Sequence, residues 1–129
     1  MITSSSGCRP VQIKIPVDDR ASSVAFYQQA FGLDYQIARR TSHHDSSAFV
    51  FGEYGRDTFF LLWLIDEPER RDRPGTSNFS FLVEDVDQTH SSALAAGAIE
   101  VIPPHDAEGM PRSSGVQDPS GNWIGLAHG

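Results

Sequence analysis

Several residue types are scarce in this 129-residue chain: it has one cysteine, Cys8, two methionines, and a single lysine, Lys14. A lone cysteine cannot close an internal disulfide, which excludes a disulfide-stapled scaffold and suits a reducing compartment. A cytoplasmic location is therefore expected. No apolar run is long enough to span a bilayer and no signal-peptide core is recognisable, so no membrane partner is expected. Positive charge is also scarce, with 10 Lys and Arg against 17 Asp and Glu, a formal net charge of −7. That balance disfavours nucleic acid and anionic lipid, which need clustered cations. No phosphate-binding loop, zinc-finger spacing or nucleophile elbow occurs. What is present is a globular composition, 39% hydrophobic and 21% charged. A chain of this size buries roughly two-thirds of its unfolded surface without covalent staples.

Residues 1–10 are serine-rich and aperiodic, and read as a disordered tail. The run Val11-Gln12-Ile13-Lys14-Ile15 alternates strictly and predicts a strand. Pro16 and Asp18-Asp19 end it, and Asp19 is placed to cap a helix over 20–31, stopped by Gly32. Strand-like runs follow at 33–40, 48–51 and 58–65. Residues 66–75, charged and holding Pro68 and Pro74, read as a linker. The order then restarts with an alternating strand at 78–83. Asp85, with Gln88 three positions on, is a capping-box signature for a helix carrying Val86, His90, Ala93 and Leu94. Gly97 ends it. A strand at 98–102, a loop at 103–111, a weaker strand at 112–117, a turn at 118–122 and a strand at 123–127 complete the chain.

Both halves thus read β-α-β-β-β, module one over 11–65 and module two over 76–127. Val17-Asp18-Asp19 and Val83-Glu84-Asp85 stand 66 positions apart, residue 17 against residue 83. The fold class read from this order is α+β: a single domain, 11–129, of two tandem βαβββ modules, each a small sheet with one helix on one face, whose opposite face is either covered by the other half or lines a cavity.

The ordered set Ile15-Pro16-Val17-Asp18-Asp19, Ala25-Phe26-Tyr27, Phe31-Gly32-Leu33, Val83-Glu84-Asp85-Val86-Asp87, Ala95-Ala96-Gly97-Ala98 and Asp118-Pro119-Ser120-Gly121-Asn122 resembles the vicinal oxygen chelate superfamily. That group contains glyoxalase I, bleomycin-resistance proteins and extradiol dioxygenases. The resemblance covers about residues 11–127 and implies that the mixed sheet curls into a cup with helices outside, a small ligand or metal inside the cup, and a homodimer. The family's metal enzymes place ligands on the first and last strand of each module. Carried over, those positions fall on Gln12, Asn78, Gly125 and an unfixed position within 59–63. Two amides and a glycine do not make a divalent-cation site, which needs carboxylate, imidazole or thiolate. No metal and no other cofactor is therefore expected, and the chain is more similar to the metal-less branch.

Strand alternation predicts that Gln12, Lys14, Asn78, Ser80 and Trp123 face the cup. With Trp63 and Arg112 they form the expected small-molecule binding set: amides, a hydroxyl, two cations and two indole platforms. Lys14 and His105 are candidate acid–base groups, His105 on the supposition that loop 103–111 is a lid. The plainer readings are a lysine reaching solvent and a loop histidine. His43-His44-Asp45 reads as a solvated loop, because neighbours in extended chain point oppositely. His90 reads as a packed helix residue, and Asp18, Asp19, Asp85 and Asp87 as cap and dipole partners. A binding protein is the first functional expectation. A lyase, isomerase or oxygenase with a divalent metal or acid–base residues in the cup is the alternative, and a partner-binding module with a filled cup is the third.

Overall fold

A computed structural model describes residues 8–40, 45–53, 55–66 and 73–129. Residues 1–7, His43-His44 and most of the expected linker lie outside them. In chain order the elements are β1 (Gln12–Pro16), α1 (Arg20–Phe31), β2 (Tyr35–Arg40), β3 (Asp45–Phe51), β4 (Phe60–Ile65), β5 (Asn78–Val83), α2 (Val86–Ala95), β6 (Ile99–Ala107), β7 (Met110–Gln117) and β8 (Trp123–His128). They form two four-stranded sheets with the same order, β1-β4-β3-β2 and β5-β8-β7-β6. In each, the first strand runs parallel to the last and the rest are antiparallel. The repeated βαβββ reading therefore holds at the level of topology.

One expectation is corrected. Residues 103–111 are not a loop: β6 continues through Pro103 and His105 to Ala107, and β7 starts at Met110. The two make a long hairpin whose register shifts between Glu100 and Ala107. Pro103 and Pro104 are tolerated because β6 is the outer strand, where a missing N–H breaks no ladder on the solvent side. Gly109, with φ 73°, takes the left-handed conformation the turn requires.

Local signals explain the helices. Asp19 Oδ2 accepts from the Ser22 amide at 2.9 Å, and Gly32 closes α1 in the left-handed region at φ 66°. Asp85 Oδ1 accepts from the Gln88 amide at 3.0 Å to start α2. Ser23, Phe26, Tyr27 and Ala30 form the buried stripe of α1, and Val86, His90 and Ala93 that of α2.

The two stripes meet in one core. It joins Ile15, Phe49, Leu62 and Leu64 from the first sheet to Val116, Ile124 and Leu126 from the second. Rings knit the modules, with Tyr27 against Phe79 at 6.5 Å and Phe31 against Phe81 at 5.0 Å. A buried polar latch adds direction. Asp118 Oδ2 accepts from Tyr27 Oη at 2.8 Å and from Asn122 Nδ2 at 3.0 Å. Asp118 Oδ1 accepts from the amides of Ser120 and Asn122, both at 2.9 Å. Asn122 Nδ2 also donates to Pro16 O at 2.8 Å, and Asn122 Oδ1 accepts from the Ser77 amide at 3.0 Å. Burial of Tyr27, followed by the Asp118 charge, raises its phenol well above the ordinary 10.0. The Asp-Pro-Ser-Gly-Asn segment is thus both a turn and the bolt between the modules.

Candidate functional site on the concave sheet faces

Because helices and core occupy one face of each sheet, strand alternation turns the next residue along each strand to the opposite, concave face. On the first sheet this exposes Gln12 and Lys14 while Ile13 and Ile15 pack inward. Gln12 lies in register with Leu61 and Lys14 with Trp63. The Lys14 ammonium sits 4.8 Å from the Trp63 ring centroid, a cation–π pair that holds the chain's one lysine over an indole.

On the second sheet, Asn78 lies in register with Trp123 and Ser80 with Gly125. Asn78, Ser80 and Trp123 line a concave cavity of about 290 Å³ together with Ser113, Gly115 and Ile102. Ser113 and Ile102 were not singled out from the sequence. Their signal is the hairpin register, which a loop reading of 103–111 hides. Among the described residues, the lining holds an indole, an amide and hydroxyls, and no charged group.

The two sheets share a topology, so the register missing from the sequence can be read off. Asn78 matches Gln12, and Gly125, opposite Ser80, matches Trp63, opposite Lys14. The four positions at which the metal enzymes carry ligands therefore hold Gln12, Trp63, Asn78 and Gly125. A Cβ built on Gly125 would stand 2.5 Å from Ser80 Oγ, so even the stem of a carboxylate side chain needs Ser80 to move. This donor set does not fit a divalent cation. Among the described residues, no cluster of three His, Cys, Asp or Glu side chains is placed to hold a metal ion.

Arg112 departs from its expected role. Its guanidinium leaves the concave face and grips Asp87 of α2 in a two-pronged pair at 2.7 and 2.9 Å, with Asp106 at 3.2 Å. The Arg112 hydrogen bonds hold Asp87 below the ordinary carboxylate value, and Asp87, then Asp106, raises Arg112. The physical reason is parity: Ser113 faces the cavity, so Arg112 faces the helix. His105 is an exposed residue of the outer strand β6, in register with Ser113, and its Nδ1 lies 2.9 Å from Pro103 O. It stands on a strand, not on a lid.

His90 is buried, as a packed helix histidine should be, and it is also bonded at both nitrogens. Nδ1 lies 2.8 Å from Ser114 Oγ and Nε2 lies 2.7 Å from Glu100 Oε2. The order of groups is that of a serine–histidine–carboxylate relay, but its serine is only 6% exposed and points at the imidazole under the sheet. It fastens α2 to β6 and β7.

The family profile described as Glyoxalase/Bleomycin resistance protein/Dioxygenase superfamily matches residues 9–126. No curated protein matches the chain. Solved structures do. The antibiotic binding protein TnmS3 from Streptomyces sp. CB03234 is 24% identical, with TM-score 0.68 over 94% of this chain and 95% of that one. The virulence protein STM3117 from Salmonella typhimurium is 22% identical, with TM-score 0.71 over 99% and 98%. A superfamily member from Sphaerobacter thermophilus is 19% identical, with TM-score 0.70 over 95% and 98%. At these identities the structures speak for the fold, whereas the profile spans nearly the whole chain along the same βαβββ repeat. The chain belongs to the glyoxalase/bleomycin resistance protein/dioxygenase superfamily.

Proposed function

We propose that this protein binds an aromatic small molecule on its concave sheet faces without a metal, as a homodimer in the cytoplasm. The observation that carries the reading is the lining of the second-sheet cavity: Trp123 as a stacking platform beside Asn78, Ser80 and Ser113, with no carboxylate or imidazole among the described residues. Such a surface offers stacking and neutral hydrogen bonds, which orient a planar ligand. Lys14 on Trp63 and the neighbouring Gln12 supply the complementary half, a cation and an amide suited to a carbonyl or acidic group on the ligand. The antibiotic-binding neighbour TnmS3 supports this direction. The dimer is supported by exposed apolar side chains of the outer strand β6, Ile99 at 60% and Ile102 at 40%, which a second copy would cover.

The test is thermal shift and tryptophan quenching over a panel of polycyclic aromatic antibiotics, with and without EDTA, and with Ni, Zn, Mn and Fe added back. At 100 times the dissociation constant a ligand should add about 2.7 kcal/mol of stability. Binding should survive chelator and fall in Trp123→Ala and Trp63→Ala. Stoichiometric metal held through Gln12 and Asn78, or turnover that requires it, would replace this reading with the metal-enzyme one. Sedimentation at micromolar concentration reads the dimer directly.

A further inference from the structure

A second cavity lies between the two modules and meets the concave cavity at Ser80, which lines both. It measures about 560 Å³, within the range of about 300–1,000 Å³ usual for small-molecule sites. Four phenyl rings, Phe51, Phe60, Phe79 and Phe81, wall it, each of them left only partly buried. Phenylalanine normally finishes inside a fold, so four incompletely covered rings around one space are unusual for a closed core. Four consecutive β5 residues, Phe79 to Leu82, contribute from both faces of the strand. The cavity therefore runs along the outer edge of β5, the strand that ends the second sheet.

An adjoining cavity of about 390 Å³ shares Phe51, Phe81 and Leu82 with the first and extends it toward the helices. Its far end is polar: Gln29 of α1, with Gln88, Thr89 and Ser92 of α2. Among the described residues, none that lines either lobe is ionisable. The cleft is thus apolar at one end and amide- and hydroxyl-lined at the other, and its described lining is uncharged.

We propose that this inter-module cleft is a second binding site, for a neutral, elongated amphipathic molecule. Its hydrocarbon or aromatic part lies among the four phenyl rings and its uncharged polar end reaches Gln29, Gln88, Thr89 and Ser92. A charged ligand is disfavoured because no counter-ion lines the cleft among the described residues and desolvating an unpaired charge is costly. An added peptide strand is also disfavoured. Its side chains alternate with period two, whereas polarity here changes once, from end to end.

The experiment uses the full chain and two probes sharing one ring system: neutral N-phenyl-1-naphthylamine and anionic 8-anilinonaphthalene-1-sulfonate. Saturable one-to-one fluorescence enhancement is expected with the neutral probe, and binding weaker by at least about tenfold with the anion. Leu82→Lys sets an ammonium at the apolar lip, and Ser92→Trp fills the polar lobe. Each should weaken the neutral probe by about tenfold or more while circular dichroism stays that of the parent. Both sites are surface-accessible, and if one variant folds poorly the other carries the test. Trp123→Ala should leave the probe bound within about twofold, which separates the cleft from the concave face. Loss of the probe in Trp123→Ala but not in Leu82→Lys would overturn the proposal. So would binding that falls as protein concentration rises alongside self-association, which would assign the cleft to a second copy.

Discussion

Replacing Asn122 with alanine should be among the most damaging polar substitutions in this protein. The side chain is fully buried and makes three hydrogen bonds, to Pro16 O, Asp118 Oδ2 and the Ser77 amide. The variant keeps the backbone bonds between residues 118 and 122 but strands a carbonyl, an amide and part of a buried carboxylate. Each ordinary bond contributes about 1 kcal/mol, and each partner left unsatisfied costs about 1–3 kcal/mol. One of the three bonds is to a carboxylate, and some partners will recover water, so a loss of about 3–5 kcal/mol follows. Against a total stability of about 5–15 kcal/mol that is a large share. The assay is urea unfolding at neutral pH, with the slope unchanged and the midpoint lowered. Thermal unfolding should drop by about 10–20 °C for a domain of this size. A loss below about 1 kcal/mol would refute the latch and show that water or a shifted turn serves the same groups. Tyr27→Phe removes one bond and leaves the ring, so about 1–2 kcal/mol is expected. Its effect should be non-additive with Asn122→Ala, because both touch Asp118 Oδ2.

Further expectations follow from the same geometry. Tyr27 has a phenol raised in the folded state, so the unfolded chain loses its proton first and stability should fall as pH rises above 10.0. Tyr27→Phe should flatten that alkaline limb. Asp19 is lowered by the Ser22 amide it caps, and Asp87 by Arg112, so their contributions are present above the ordinary 3.8 and lost as pH falls below it. Asp87→Asn should therefore shrink the acid limb of the pH–stability profile. Arg112→Gln should lower the melting temperature slightly, more at low salt than at high, and leave ligand binding on the concave face unchanged. Gly125→Ala should fold, because the Ser80 hydroxyl its Cβ meets can rotate and the Ser80 Cβ at 3.3 Å need give only slightly, but it should narrow the cavity and weaken the aromatic ligand, read by tryptophan quenching.

Most of the frame was legible because its signals are local. Helix α1 has the predicted bounds, since Asp19 and Gly32 fix its ends through short-range backbone chemistry. Strands β1 and β5 were readable from strict alternation, which also placed Gln12, Lys14, Asn78 and Ser80 on the concave side. The hairpin at 99–117 was not, because Pro103, Pro104 and the Gly109-Met110-Pro111 run look like loop chemistry, whereas the first two sit on the outer strand β6, which tolerates them, and Gly109 makes the turn. Arg112 was misplaced for that reason: with the register unknown, its parity was unknown.

Sequence alone determined the doubled βαβββ order, the helix ends and the amide, glycine and lysine content of the concave faces, all set within a few residues along the chain. Tertiary structure decided what depends on pairing between distant residues. It matched Trp63 with Gly125, turned Arg112 onto α2, closed His90 between Ser114 and Glu100, and made Asp118 and Asn122 the bolt between modules. It also opened the phenyl-walled cleft, whose lining comes from β1, β3, β4 and β5 and is contiguous only once the two modules have packed.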